Sequence, residues 1–187
     1  MFSLILLPVL LGVALAQGPA ATPPSSSAAT SEKLEWRAGR PLTWADFKSR
    51  PKTDRLAALT SSTIDAKVGC VDFQFSAEVK AVFVPSESWV RDPARASANL
   101  LRHEQLHFDL TELHARKLRQ RLSLVKLDCQ HLQPAFGNLT KAAFLEWQRE
   151  EARYDQETNH GLNQPRQQYW EQQVQQKLQQ LEPFASR

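Results

Sequence analysis

The chain has 187 residues, which is enough for one domain of ordinary size and too few for two fully developed domains. Its 23 basic and 20 acidic residues are interspersed and give a formal net charge of +3, whereas nucleic-acid binding needs a basic surface. Nucleic acid is therefore not an expected partner. The only long apolar run lies at the very start, which excludes a protein that crosses a membrane several times.

The N-terminal segment has the pattern of a secretory signal. The apolar stretch from Phe2 to Leu15 is too short to span a bilayer comfortably, and it ends in the small-x-small sequence that signal peptidase accepts. We predict a signal peptide over residues 1–16, cleaved after Ala16, and hence a secreted or periplasmic protein without stable membrane insertion after cleavage. Residues 17–31 are uncharged and rich in Pro, Ser and Ala, which predicts an extended tether. Residues 32–187 form the predicted single domain.

The first half of this domain has the period of two that is typical of strands. Apolar and polar residues alternate over 64–68 and, after an interruption at 68–70, from Phe73 to Phe83. This pattern predicts a small antiparallel sheet of three or four strands with one solvated face. We expect an edge strand at Leu34 to Arg37 and a short helical turn at Trp44 to Lys48.

The chain contains two cysteines, Cys70 and Cys129. An even number of cysteines in an exported protein favours a disulfide, because the compartment outside the cytoplasm is oxidising. We therefore predict that these two residues are bonded to each other.

The second half has helical periodicity. Asp92 followed by Pro93 is typical of a helix start, and apolar residues then recur at intervals of three and four, which predicts one long helix over 93–124. Further helices are predicted from Leu139 to Asn159 and after Pro165. The expected fold class is therefore α+β, with a small antiparallel sheet followed by a long helix and two more helices.

The long helix contains His103-Glu104-Gln105-Leu106-His107, which has the H-E-x-x-H pattern. Residues four apart on a helix differ by only about 40° in direction and about 6 Å along the axis, so His103 and His107 can bind one zinc ion. Glu104 can take the proton of a water at the zinc and pass it to a leaving amine as the general base. The motif therefore predicts a zinc cofactor and hydrolysis of a peptide bond.

A catalytic zinc site needs a third protein ligand and one open position. His160 ends the second predicted helix and can turn towards a facing element, and Glu157, one turn earlier, offers a carboxylate instead. His114 lies about 16 Å from His103 along the helix axis and cannot share its metal. Weaker alternatives are Asp155, His131 and Glu150.

Three more side chains are candidates for supporting roles. Asp109 and Glu112 flank His107 and are expected to hold an imidazole N–H, which would fix its tautomer. Tyr154 lies near the candidate third ligand and could donate a hydrogen bond to the oxyanion that develops during amide hydrolysis.

Five segments of the chain form a recognisable combination. They are Trp44-Ala45-Asp46-Phe47, Ser88-Trp89-Val90, His103 to Asp109, Glu112 with Ala115-Arg116, and Tyr154 to Gly161. Together they resemble the DUF922 family of bacterial proteins, described as predicted secreted zinc-dependent proteases. The resemblance spans about residues 34 to 181 and implies a zincin-like protein. It favours His160 over Glu157 as the third ligand.

The sequence therefore predicts a secreted zinc metallopeptidase that acts on a protein or peptide substrate, with Glu104 as the general base. The alternative is a non-catalytic binding or structural module of the cell envelope, with a zinc site or without metal. The presence of Glu104 beside the two histidines favours the enzyme, because a purely structural zinc site gains nothing from a base.

Overall fold

The computed structural model describes residues 33–53, 55–125, 127, 129 and 132–186, and the account below is confined to them. The predicted signal peptide and tether lie outside these ranges. The predicted α+β class is confirmed, since two small antiparallel sheets precede three helices.

The five strands are arranged in two sheets. They are β1 (Leu34–Glu35), β2 (Ala58–Leu59), β3 (Ser62–Val71), β4 (Gln74–Phe83) and β5 (Trp89–Val90). One sheet has the order β1-β4-β3 and the other pairs β2 with β5, all antiparallel. The expected edge strand is β1, and the expected helical turn is a 3-10 turn at Trp44–Asp46. The predicted antiparallel sheet therefore has three strands, and β2 and β5 form a second sheet that the sequence did not predict.

The long hairpin formed by β3 and β4 differs from the prediction at its tip. The two strands pair continuously from Ser62 opposite Phe83 to Val71 opposite Gln74, so the expected interruption at 68–70 is wrong. The turn consists of Asp72 and Phe73, whose φ angles of 50° and 60° suit a two-residue hairpin. Phe73 is thus a turn residue with 83% of its surface exposed, and not the first residue of a strand.

The three helices are α1 (Ala98–Leu124), α2 (Ala135–Thr158) and α3 (Gln164–Gln180). Helix α1 begins five residues later than predicted, because Ser97 Oγ accepts a hydrogen bond from the Leu100 N–H at 3.1 Å and caps it. Asp92 accepts from the Arg95 N–H in a separate turn. Both residue types cap helices well, so the local sequence does not distinguish the two starts.

Helix α2 begins four residues earlier than predicted. Phe136, in its first turn, packs against the main core, and its ring lies 6.4 Å from that of Phe75. Burial of this aromatic side chain outweighs the low helix propensity of Gly137. The last residue of α2 is followed by Asn159 in the left-handed conformation.

Helix α1 lies at the centre of the domain and contributes to two apolar clusters. The first cluster joins α1 to the three-stranded sheet and to α2, and the second joins α1 to α2 and α3. The second consists of Leu106, Leu110, Leu113, Tyr154, Trp170 and Val174. None of the helices among the described residues is both long and apolar enough to cross a membrane.

The predicted disulfide is confirmed. Cys70 and Cys129 are bonded, with 5.9 Å between their Cα atoms. The bond ties the outer end of β3 to the connection between α1 and α2.

Candidate metal centre

The candidate metal ligands and the candidate general base line one cleft of about 860 Å³. Its walls come from the segment around β2, the first turns of α1, the middle of α2 and the residues after α2. The cleft is lined by His103, Glu104 and His107 from α1, by Asp155 from α2, and by His160. The structure therefore places the H-E-x-x-H motif in the wall of a large cleft.

Three potential ligand atoms form a compact triangle in this cleft. The Nε2 atoms of His103 and His107 are 3.3 Å apart. Oδ1 of Asp155 lies 3.2 Å from Nε2 of His103 and 3.0 Å from Nε2 of His107. These three residues could hold a metal ion, and the third of them is Asp155, which the sequence ranked behind His160.

The distances within this triangle suit a small metal ion. Ligands about 2.0–2.1 Å from a tetrahedral zinc ion are separated by roughly 3.3–3.4 Å, close to the distances found here. Asp155 Oδ1 is buried, yet it has no hydrogen-bond partner of acceptable geometry among the described residues. An unpartnered buried carboxylate oxygen is costly, and a cation at the centre of the triangle would satisfy it.

Facing turns of two helices produce this arrangement. His103 and His107 are one turn apart on α1, and Glu151 and Asp155 are one turn apart on α2. Residues four apart lie on the same helix face, so packing α2 against α1 places the two carboxylates opposite the two imidazoles.

Hydrogen bonds from outside the triangle orient both imidazoles. His103 Nδ1 lies 3.2 Å from Oε1 of Gln167 on α3, and His107 Nδ1 makes a short contact with Oε2 of Glu151. When each Nδ1–H donates to its oxygen, each Nε2 presents a lone pair to the centre of the triangle. Metal-binding histidines in proteins are held in this way.

The electrostatics of the cleft favour a positive charge at this point. Burial alone would lower the pKa of His107, but the carboxylates of Glu151 and Asp155 raise it well above its usual value. Burial raises the pKa of Asp155, but the rings of His103 and His107 outweigh that effect and hold the pKa well below its usual range. The anionic carboxylate and the cationic ring stabilise each other, as a bound cation would stabilise the same carboxylate.

Glu104 lies next to the triangle and is held by the segment after β2. Its side chain is 3% exposed, lines the cleft and accepts a hydrogen bond from Thr60 Oγ1 at 2.7 Å. The same hydroxyl lies 3.1 Å from the Glu104 backbone oxygen. Thr60 thus fixes a carboxylate that is not part of the ligand triangle.

His160 lies beside the triangle and not within it. Its Nδ1 is 3.4 Å from Asp155 Oδ1, its side chain is about half exposed, and its backbone is in the left-handed region with φ of 50°. Gly161, which follows, has φ of 79°, and a Cβ there would lie 2.9 Å from the Cβ and Cγ of His103. The turn after α2 therefore packs directly on a candidate ligand.

Tyr154 packs against His103 in the interior of the domain. It is fully buried, its ring stacks on that of His103 at 4.8 Å, and its hydroxyl lies 2.8 Å from Gln167 Oε1 and 3.1 Å from the His103 backbone oxygen. Burial raises the pKa of its hydroxyl well above the usual value, so the group stays a hydrogen-bond donor. The hydroxyl lies within the buried framework and not on the cleft wall.

The two carboxylates expected to hold an imidazole contact other groups. Asp109 accepts hydrogen bonds from Trp36 Nε1 at 2.7 Å and Gln105 Nε2 at 2.8 Å. Glu112 is paired with Arg116 and Arg119. They point away from His107 because neither lies on its face of α1, and Gln167 and Glu151 orient the imidazoles instead.

The other ligand candidates lie elsewhere. Glu157 pairs with Arg166 and accepts a hydrogen bond from Trp170 Nε1 at 2.9 Å. His114 and Glu150 contact each other at 2.7 Å, outside the cleft. His131 lies outside the described residues.

Several residues of the candidate metal centre were not predicted from the sequence or were ranked too low. Glu151 and Asp155 repeat on α2 the four-residue spacing of the two histidines on α1, and a search for a facing pair of carboxylates would have found them. Thr60 and Gln167 carry no such signal, because only the fold brings them to Glu104 and His103.

Fold and site together define an α+β protein with a His/His/Asp group that could hold a metal ion on its central helix. The chain belongs to the DUF922 family, described as a bacterial protein of unknown function, whose model matches residues 43–161. The match ends before α3, so Gln167 lies outside it. No curated protein and no solved structure matches this chain.

Proposed function

We propose that this protein is an exported zinc metallopeptidase. The observation that carries the proposal is the triangle of ligand atoms of His103, His107 and Asp155, at 3.0–3.3 Å from one another, with Glu104 beside it in an open cleft. Two imidazoles and one carboxylate are a donor set of known catalytic zinc sites, which keep a fourth position open.

A zinc ion held by His103, His107 and Asp155 would supply Lewis-acid chemistry, polarising the scissile carbonyl and lowering the pKa of the attacking water. Glu104 removes a proton from that water and passes it to the leaving nitrogen. Thr60 holds Glu104 at the required place, and Gln167 and Glu151 hold the imidazoles so that their Nε2 lone pairs remain available.

The shape of the cleft supports a peptide as the substrate. Residues 57–60 line it, and β2 pairs with β5 along one edge only, so far as the described residues show. An extended peptide can add to such an edge as another strand, which would align a scissile bond beside Glu104. The volume of about 860 Å³ accommodates several residues.

Export is supported by two independent features. The disulfide between Cys70 and Cys129 is of a kind that persists outside the cytoplasm. The apolar segment before Ala16 has the pattern of a cleavable signal.

His160 distinguishes the proposed enzyme from the alternative, a non-catalytic zinc module. If His160 binds the metal as a fourth protein ligand, the site is closed, as structural zinc sites are. We propose instead that His160 faces the substrate, because its side chain is half exposed and its nearest contact in the site is to Asp155. Under this proposal His160→Ala retains zinc and loses turnover, whereas a closed site would lose zinc.

The decisive experiment combines metal analysis with hydrolysis of a fluorescently labelled, unfolded protein. We expect the purified domain to contain about one zinc ion per chain. Glu104→Gln should keep the zinc and hydrolyse at least about 100-fold more slowly, since it removes the general base. Glu146→Gln, which alters an exposed ion pair with Arg121, is the matched control and should behave as the wild type.

Two results would overturn the proposal. Less than half an equivalent of zinc after mild purification would contradict the metal centre. Equal hydrolysis by Glu104→Gln and the wild type would contradict the catalytic role.

A further inference from the structure

We infer that the protein binds a phosphate group in a second pocket, which lies between the three helices and apart from the candidate metal centre. Four basic side chains line this pocket, which has a volume of about 350 Å³, together with the carboxylate of Glu150. They are Lys117 on α1, Arg149 and Arg153 on α2, and Lys177 on α3. We call this site the basic pocket. It shares no lining residue with the metal cleft, so the inference does not depend on the proposed peptidase function.

Glu150 lies among the basic side chains and holds them together. Its Oε2 accepts a hydrogen bond from Lys117 Nζ at 3.2 Å and lies 2.7 Å from Nε2 of the buried His114. Its Oε1 accepts a hydrogen bond from Lys177 Nζ at 3.2 Å and lies 3.6 Å from Arg153 Nη2. Both carboxylate oxygens are therefore engaged with groups of the pocket wall.

These contacts fix side chains that are otherwise flexible. Lysine and arginine lose much rotamer freedom when they are ordered, which weakens the binding of a ligand that must order them. Here Glu150 already orders the two lysines, and the Arg153 guanidinium lies 5.0 Å from the centre of the Trp170 ring. The basic pocket is thus preorganised before any ligand binds.

The basic groups keep donors that the protein does not use. A lysine ammonium has three hydrogen-bond donors and an arginine guanidinium has five, and one carboxylate accepts only a few of them. Arg149 is exposed and has no hydrogen bond or ion pair among the described residues. The unused donors and the uncompensated charge both suit an anion.

The excess positive charge of the chain is concentrated at this pocket. The other acidic residue of its lining, Glu146, is paired with Arg121 outside it. The lining and Arg121 together contain five basic and two acidic residues, a surplus of three. The whole chain has 23 basic and 20 acidic residues, so the remaining 18 basic residues are balanced by 18 acidic ones.

A phosphate group matches these features better than a carboxylate does. A phosphate monoester has close to two negative charges and three strong acceptor oxygens, so it can bind several of the cations at once. Charge-assisted hydrogen bonds of this kind are the strong ones. A nucleic acid would instead need a basic surface that follows its backbone, whereas the surplus charge here is confined to one pocket.

The first test measures phosphate binding by isothermal titration calorimetry. Metal-free protein is titrated with inorganic phosphate, so that the anion has no zinc to bind. A constant ionic strength of about 0.1 M screens charges that lie more than about 10 Å apart. We expect a dissociation constant of about 1 mM or less, and weaker binding would overturn the inference.

The second test locates the bound anion. Arg149→Glu should weaken phosphate binding at least about tenfold, because it removes donors and adds a like charge. Lys141→Glu is the matched control, since it makes the same charge change at an exposed residue of α2 outside the pocket, and should change the affinity less than about twofold. Equal affinities for the two variants would overturn the inference.

A third variant approaches the pocket from another helix and covers the case in which Arg149→Glu does not fold. Lys177→Gln removes a cation on α3 and should weaken phosphate binding at least about fivefold. Lys141→Gln should bind phosphate like the wild type. Wild-type affinity in Lys177→Gln would contradict a site formed between the helices.

Vesicles identify the carrier of the phosphate group. Cosedimentation with phosphatidylglycerol vesicles that Arg149→Glu abolishes and Lys141→Glu retains would identify a lipid headgroup as the ligand. Binding of inorganic phosphate without cosedimentation would identify a soluble phosphate compound. Both results support the basic pocket, whereas phosphate binding that is equal in Arg149→Glu and the wild type would overturn the inference.

Discussion

Two buried polar clusters lie on α1, and they are built in opposite ways. In the first, the ligand atoms of His103, His107 and Asp155 face one another, and Asp155 Oδ1 finds no hydrogen-bond partner in the part of the chain that the structure describes. In the second, Glu112 accepts hydrogen bonds from Arg116 and Arg119, at distances of 2.9–3.2 Å. Both clusters are largely removed from water, so the difference lies in whether the polar groups satisfy each other.

The second cluster is complete without any ligand. Arg116 Nη1 also donates to the Leu178 backbone oxygen at 2.7 Å, and Arg119 donates to backbone oxygens of Val79 and Phe184 at 2.7 and 2.8 Å. These contacts tie α1 to β4, α3 and the chain beyond α3. The comparison shows that buried charge alone does not identify a functional site, whereas convergent ligand atoms around a carboxylate oxygen that no hydrogen bond satisfies, among the described residues, form a group that could hold a cation.

The largest expected effect is a difference in zinc affinity between a variant of the first cluster and a variant of the second. Asp155→Asn keeps the shape of the side chain but removes a ligand charge, and it should weaken zinc affinity by more than about 100-fold, beyond the loss typical of outer contacts. Glu112→Gln should bind zinc like the wild type. Both affinities are measured by chelator competition, and wild-type affinity in Asp155→Asn would show that another residue is the third ligand.

The converse effect concerns stability. Glu112→Gln leaves Arg116 and Arg119 without their shared buried counter-charge and should lower the free energy of unfolding by about 3 kcal/mol. Urea unfolding of the metal-free protein measures this change. Glu146→Gln, at an exposed ion pair, should cost less than about 1 kcal/mol, and a similar cost for both variants would refute the distinction.

A smaller effect is expected at the turn that supports His103. Gly161→Ala places a Cβ 2.9 Å from the His103 ring at a backbone φ of 79°, so the ring must move. We expect about tenfold weaker zinc binding and a loss of about 1–2 kcal/mol in stability. Gly39→Ala, where nothing lies within 4 Å of the new Cβ, should change neither quantity. Normal zinc binding by Gly161→Ala would mean that this contact does not position His103.

The smallest expected effect is a pH-dependent change in stability at Glu150, which belongs to neither cluster. A hydrogen bond from His114 lowers the pKa of Glu150, against the effect of burial, and Lys117 and Lys177 lower it further to well below its usual value of 4.5. Arg153 also faces this carboxylate, at 3.6 Å. A depressed folded-state pKa contributes stability above the unfolded pKa, and that contribution is lost as the pH falls below it.

Glu150→Gln should therefore be less stable than the wild type by about 1 kcal/mol near neutral pH. The difference should shrink as the pH falls from about 5 to about 2, as followed by urea unfolding at several pH values. A difference that stays constant or grows in acid would contradict this interpretation.

The sequence was most informative where the signal is local. The strand alternation and the three- and four-residue spacings predicted the two halves of the fold, and they placed His103 and His107 on one helix face. The helix starts shifted by a few residues, because Ser97 competes with Asp92 as a cap and because Phe136 gains burial by extending α2.

The roles of partner side chains were less predictable. Asp109 and Glu112 are close to His107 in sequence, yet they lie on other faces of α1 and contact Trp36 and the arginines. Closeness in sequence does not determine which helix packs against which face.

The sequence by itself determined the fold class, the cysteine pair and the H-E-x-x-H spacing, because each follows from local periodicity or composition. Only the tertiary structure placed Asp155 in the triangle, Thr60 on Glu104 and Gln167 on His103. These contacts join segments 44 to 64 residues apart, and they depend on how α2, α3 and the strands pack on α1. The turn after α2 places His160 beside the triangle, because its φ angle is positive. The sequence did not predict this conformation for His160.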